Sequence, residues 1–217
     1  MAQIFQPYFV LTLKLSFLAA VLLIVAVILA WRVHTGPPVA VGAPVEQPIP
    51  FSHKHHVGDD GIDCRYCHTS VEKSSFAGLP QTKICMTCHS QLFKDAPVLA
   101  PLFQSFETGK PLHWNRVHDL PDFVYFNHSI HVNKGIGCAS CHGEVDQMPL
   151  TWRTQSLEMQ WCLSCHREPE RYIRPREQVF NLHWQPSEAE QAVLGPLLVK
   201  QYHVQKERIT DCSICHR

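Results

Sequence analysis

From Tyr8 to Trp31 nearly every position is apolar, and Leu15 to Trp31 carries no charge; Lys14 is the single interruption. Roughly twenty such residues suffice for a helix to cross a hydrocarbon layer about 30 Å thick, so the pattern predicts one transmembrane helix within residues 1–35. A cleaved signal peptide has an apolar region nearer about 7–15 residues with a small-x-small site close behind it. Ala40-Val41-Gly42 has that form but lies well past the apolar block, and no spare cysteine exists for a lipid anchor. The expectation is therefore an uncleaved signal-anchor, with Ala19, Ala20, Ala26 and Ala30 small enough to allow close packing against partner helices.

Downstream the pattern weakens. Residues 36–50 hold Pro37, Pro38, Pro44, Pro48 and Pro50; proline fixes its own dihedral and removes a donor, which predicts a semi-rigid extended linker. No clear strand alternation follows. Ser187 to Gln205 is the best soluble helix, with Ala189, Ala192, Val193, Leu197, Leu198 and Val204 partly periodic. Gly195-Pro196 is expected to break or kink it. The fold class predicted is mainly α with extensive loops and little β: one transmembrane helix, then a domain of short helices whose apolar core is filled largely by a cofactor.

Composition identifies that cofactor. The 217 residues include 19 basic and 19 acidic side chains, which gives no support for nucleic-acid binding, but also ten Cys and fifteen His. The cysteines form five pairs, each followed by histidine: Cys64/Cys67-His68, Cys85/Cys88-His89, Cys138/Cys141-His142, Cys162/Cys165-His166 and Cys212/Cys215-His216. C-x-x-C-H is the attachment signature of c-type haem, the thiols binding the vinyl groups and the histidine the iron. Zinc ribbons also pair C-x-x-C motifs, but they do not require histidine after the second Cys, and five motifs would leave one unpaired. A disulfide framework has no use for the histidines. Five covalently bound haems are expected. Covalent attachment takes place outside the bacterial cytoplasmic membrane, so the chain is expected to be single-pass there, with its haem domain on the periplasmic side.

Two segments repeat. Phe51-Ser-His53-x-x-His56 precedes Cys64, Phe126-Asn-His128-x-x-His131 precedes Cys138, and a second C-x-x-C-H follows each. The repeat divides the chain into a first two-haem module (51–100), a second (101–175) and a C-terminal segment (176–217) carrying the fifth motif. A haem iron has one position left once the porphyrin and motif histidine are bound. Ten further histidines can fill it, and His53/His56 and His128/His131, three apart on one turn, can each serve two nearby haems. Candidates for the fifth distal ligand are His118, His113, His183 and His203, with Met148 or Met159 as thioether donors; His118 is favoured because it runs directly into the second module. His34 and His55 are expected to be solvated or interfacial. Trp114, Trp152, Trp161 and Trp184 are expected to pack on porphyrin edges or partner subunits.

The Phe-x-His-x-x-His arrangement resembles the class III multihaem cytochromes. The resemblance implies that His53 ligates the haem of Cys64/Cys67 and His128 that of Cys138/Cys141, with His56 and His131 serving another haem. The anchor, the five motifs, the block Trp114-Asn-Arg116-Val…Phe126-Asn-His128 and Cys162-Leu-Ser-Cys165-His166-Arg167-Glu-Pro169 together resemble the membrane-anchored pentahaem subunit of alternative complex III, a quinol:acceptor oxidoreductase. That resemblance implies a multi-helix quinol-binding subunit, an iron–sulfur subunit, a monohaem cytochrome c and a downstream acceptor as partners, besides the lipid bilayer. The expected role is electron transfer through mostly bis-His haems. Alternatives are a free-standing anchored quinol dehydrogenase or shuttle and a multihaem reductase of a small ligand; the latter needs an open iron position, which the surplus of histidines disfavours.

Overall fold

The computed structural model describes the main chain of residues 7–35 and 41–216. It divides into two units, residues 1–40 and 41–217. The side chain of His34 and the linker residues 36–40, including Pro37 and Pro38, lie outside the described residues.

In the first unit, helix α1 spans Pro7–Thr35. Its segment Tyr8–Arg32 is 25 residues long and apolar all round. At about 1.5 Å per residue that is roughly 37 Å, enough to cross a bilayer core. Its large side chains, such as Phe17 and Leu23, are exposed within the chain itself. A helix apolar on every face needs lipid or protein around it.

The second unit is helical and loop-rich. Its helices are α2 (Cys64–Cys67), α3 (Thr82–His89), α4 (Ala100–Thr108), α5 (His128–Asn133), α6 (Cys138–His142), α7 (Met159–Arg167), α8 (Glu188–Gln201) and α9 (Cys212–Cys215). Among the described residues there is no sheet, only the isolated bridges Pro44–Trp152 and Ile136–Ile173. Only ten apolar side chains are buried among the described residues. They form small clusters: Val71, Val132 and Val179 with Ala77, Cys138 and Phe180, and Ile173, Leu198 and Tyr202 with Ile136, Leu194, Val199 and Val204. Burial contributes about 1.5–3 kcal/mol for a large apolar side chain, so so sparse a core leaves much of the unit's cohesion to another apolar body.

Two local outcomes differ from the sequence expectation. Helix α8 is not broken at Gly195-Pro196 but runs through Pro196 to Gln201. Pro196 removes one helical hydrogen bond, yet Leu194, Leu198 and Val199 hold the segment on both sides of it against Ile173 and Tyr202. Ser187 caps the start reciprocally with Glu190. Gly195 presses on the Glu170 carbonyl, where a Cβ would collide. Residues 41–50 of the proline-rich stretch are not a free spacer. Gly42 and Val45 donate to the carbonyls of Arg153 and Thr151, and Gln47 exchanges hydrogen bonds of 2.8 and 2.9 Å with Asn115.

Candidate functional site

Each C-x-x-C-H motif lies on a short helix. Residues three apart share a helix face, so both thiols of a motif point the same way and the histidine one residue on follows them. In α2 and α9 the histidine closes the helix, its N–H donating to the first cysteine's carbonyl at 2.9 Å. Asp63 starts α2 by accepting from Arg65 N–H and chelating the Arg65 guanidinium at 2.8 and 2.9 Å.

The two repeated segments fold alike. In the first, Phe51 meets His53 edge-on at 4.9 Å and stacks on His56 at 4.5 Å. In the second, Phe126 meets His128 edge-on at 4.7 Å and stacks on His131 at 4.4 Å. The residue between Phe and the first His organises both turns. The Ser52 hydroxyl accepts from His55 N–H and its carbonyl accepts from His56 Nδ1 at 2.9 Å. The Asn127 side chain caps α5 and its carbonyl accepts from His131 Nδ1 at 2.7 Å. The first copy is a wide π-type turn over Lys54–Asp59 and the second an α-helix.

These contacts fix which ring nitrogen is free. A carbonyl can only accept, so a histidine bonded to one through Nδ1 carries its proton there and leaves the Nε2 lone pair for a metal. His68 Nδ1 donates to Gly78 at 2.7 Å, His89 to Leu92 at 3.2 Å, His166 to Ile209 at 2.6 Å and His216 to Phe123 at 3.1 Å. His128 Nδ1 donates to Ser75 at 2.9 Å, and His53 Nδ1 pairs with the Thr151 hydroxyl at 2.9 Å. The seven histidines bonded to carbonyls therefore present the same nitrogen, whereas the Thr151 hydroxyl, which can donate as well as accept, suits either tautomer of His53.

The ring separations test whether a haem fits. With metal–imidazole bonds of about 2.0 Å and about 1.2 Å from nitrogen to ring centre, two imidazoles on opposite sides of one metal would have centres about 6.4 Å apart. His56 and His89 are 6.2 Å apart, His128 and His142 6.4 Å, and His131 and His166 6.1 Å. His53 lies close enough to His68 to feel its charge. The residues present thus suit a metal held between paired imidazoles, the porphyrin supplying the remaining ligands. Among the described residues no cluster of three or more Cys, His, Asp or Glu converges as a protein-only metal site.

Burial sets the protonation of the site. Loss of water pushes His53 down to about 4 and His142 down to about 3, and lowers His131 as well. These imidazoles stay neutral, as iron ligands must be. Burial also pushes the thiols of Cys138 and Cys141 up to about 12 and that of Cys165 to about 11.

The other candidates separate on position. The His118 ring stands 4.2 Å from that of His142, too close for one metal between them, and its Nε2 is buried without a partner. Among the described residues no histidine ring stands at the sandwich distance from His216. His183 has both nitrogens engaged by acids, Nε2 with Asp146 at 2.6 Å and Nδ1 near Glu144 at 3.7 Å. His113 and His203 are exposed, and His55 is solvated beside Asp59 and Asp60. Met148 is in the core and Met159 is exposed. Trp114 stands 6.4 Å from Phe51, and Trp184 lies under the Arg174 guanidinium at 5.0 Å. The carbonyl acceptors Gly78, Leu92, Ile209 and Phe123 and the hydroxyl of Thr151 were not foreseen. Of these features only the small polar residue before each paired His leaves a sequence trace.

A helical, sheet-free domain with thiol pairs on short helices and histidines paired at iron-sandwich distance defines a multihaem c-type cytochrome. Comparison with known proteins narrows the class. Residues 49–101 and 124–217 match the family described as cytochrome c7 and related cytochrome c. The chain is also similar to the menaquinone reductase multiheme cytochrome c subunit of Nitratidesulfovibrio vulgaris, 31% identical over 195 residues, covering 89% of this chain and 77% of that protein. The chain belongs to the cytochrome c7-related family. It is a multihaem electron-transfer cytochrome with covalently bound haem c.

Proposed function

We propose that the chain is the pentahaem electron-transfer subunit of a membrane quinol:acceptor oxidoreductase of the alternative complex III kind. The observation that carries the reading is the duplicated turn whose two histidines face two motif histidines at about 6 Å, each with Nδ1 already occupied. In this reading His53, His56, His128 and His131 are the distal ligands of the haems at His68, His89, His142 and His166. His118, whose buried Nε2 has no partner, is the proposed fifth distal ligand, although its ring stands beside His142 and not at the sandwich distance from His216.

Bound haem supplies the one-electron couple; the chain supplies everything that tunes it. The carbonyl acceptors fix the tautomers and aim Nε2, Phe51 and Phe126 hold two histidines each in place, and burial keeps the imidazoles neutral. Were histidines to hold each bound haem from both sides, small molecules would find no open iron, which favours conduction over ligand reduction.

Helix α1 would anchor the subunit in the bacterial cytoplasmic membrane with the haem unit on the periplasmic side. One helix offers little wall for a quinone pocket, so the quinol site, an iron–sulfur subunit and a monohaem cytochrome c are assigned to partners. The relative's name, a menaquinone reductase subunit, supports a second reading, in which the assembly delivers electrons to menaquinone instead. The subunit's role as conductor is the same, and the direction follows from the potentials of the partners.

The test is a native gel of mildly solubilised membranes, stained for covalent haem, with the excised band assayed for quinol-driven haem reduction. A large haem-staining band that quinol reduces is the expected result. A band at the monomer mass that quinol reduces identifies a self-sufficient anchored dehydrogenase and overturns the proposal.

A further inference from the structure

The contacts that support the motifs also join them in pairs. The first and second motifs meet through Tyr66 and Thr87, whose hydroxyls are 2.8 Å apart. The first and third share the cluster of Val71, Val132, Val179 and Cys138. In addition, the loop after the first motif supplies the Ser75 carbonyl that orients His128, the histidine facing His142. The third and fourth are joined by α5, which carries His128 toward His142 and His131 toward His166. The fourth and fifth meet where His166 donates to Ile209, three residues before Cys212.

Burial follows the same line. The third motif holds the most deeply buried thiols. The second and fifth contain the two exposed cysteines, Cys88 and Cys212.

We infer that the five attachment motifs form one unbranched row in the spatial order second, first, third, fourth, fifth, so that the haems of Cys85/Cys88 and Cys212/Cys215 are its two ends, where redox partners dock. The inference rests on the reading that all five motifs carry bis-His haem. Each electron entering from a one-electron donor at one end leaves to a one-electron acceptor at the other, and no bond is made or broken. Which end faces the quinol side is set by the partners.

The test uses the full-length protein in detergent, fully reduced with dithionite, in which bis-His ferrous haems are diamagnetic. Nuclear Overhauser contacts between haem protons, assigned through the thioether groups, are expected for four pairs: two haems with one neighbour and three with two. Removing either end haem (Cys85→Ala with Cys88→Ala, or Cys212→Ala with Cys215→Ala) is expected to delete one contact and leave the rest. A haem with three neighbours, a contact between the second and fifth, or an end variant that deletes two contacts overturns the order. If the variants fail to mature, the neighbour pattern of the unaltered protein decides alone. An intact mass showing fewer than five haems, or paramagnetic ferrous signals, overturns the bis-His pentahaem reading instead, and is read before any contact is counted.

Discussion

Replacing His131 by Ala tests the pairing of ligands most directly. The substitution removes the Nδ1 hydrogen bond to the Asn127 carbonyl and the stack on Phe126 at 4.4 Å. A hydrogen bond contributes about 0.5–1.5 kcal/mol net and an aromatic pair about 0.5–1.5 kcal/mol. The combined loss of about 1–3 kcal/mol is a minority of the roughly 5–15 kcal/mol that holds an ordinary domain, so the variant is expected to fold and to keep its covalent haem. One iron loses its sixth ligand. If all five motifs carry haem, as proposed, about one-fifth of the haem should pass from low to high spin and bind carbon monoxide when reduced. The haem affected should be that of Cys162/Cys165, because His131 faces His166 at 6.1 Å. Electron paramagnetic resonance of the oxidised protein and carbon monoxide difference spectra measure the fraction. Repeating the substitution in a Cys162→Ala, Cys165→Ala background identifies the iron: no high-spin haem should form there. High-spin haem that persists in that background would refute the pairing, as would a His131→Ala protein that stays wholly low-spin.

The remaining predictions concern the fifth ligand, the helices and pH. His118→Ala should give one high-spin haem while His183→Gln gives none; a fully low-spin His118→Ala protein refutes the choice of His118. Ser187→Ala removes the reciprocal cap of α8 and should cost about 1 kcal/mol in urea unfolding without altering the haem spectrum. Gly195→Ala drives a methyl group into the Glu170 main chain and should cost about 1–3 kcal/mol or more, seen as faster proteolysis around residues 168–205. The hydrogen bond that His183 donates to the Asp146 carboxylate, with Glu144 nearby, holds His183 above the usual histidine range. A raised folded value means that this contribution is complete below the unfolded value near 6.5 and fades as pH rises through the raised one. The urea midpoint should therefore fall over that window, and His183→Gln should flatten the fall.

The sequence was most legible where chemistry dictates spacing. Cys64, Cys67 and His68 must lie on one short helix to hold one haem, and the same rule applies to the other four motifs. His53/His56 and His128/His131 stood out because a duplication repeats the residues and, to within one position, their distance from the following cysteine. The pairing partners followed from neither rule. That His56 faces His89 and His131 faces His166 depends on how the chain returns after each motif, through loops with no periodic pattern. The groups that orient the rings were hidden for a different reason. Gly78, Leu92, Ile209 and Phe123 act through their carbonyls, and a carbonyl is the same in every residue. Helix α8 continued through Pro196 because tertiary packing on Ile173 and Tyr202 outweighs a local propensity. Residues 41–50 read as a spacer because proline pattern alone cannot show that Arg153, Thr151 and Asn115 lie alongside.

The single turn that carries two distal histidines has a consequence for how such a chain changes over generations. On the proposed ligand assignment, one inserted or deleted residue between His53 and His56, or between His128 and His131, would misalign two metal centres together, so each such module is expected to be copied or lost as an indivisible pair. The motif at Cys212 is approached by no such turn among the described residues. It is therefore the unit most readily added or discarded alone, which gives chains of this construction a ready route between odd and even complements.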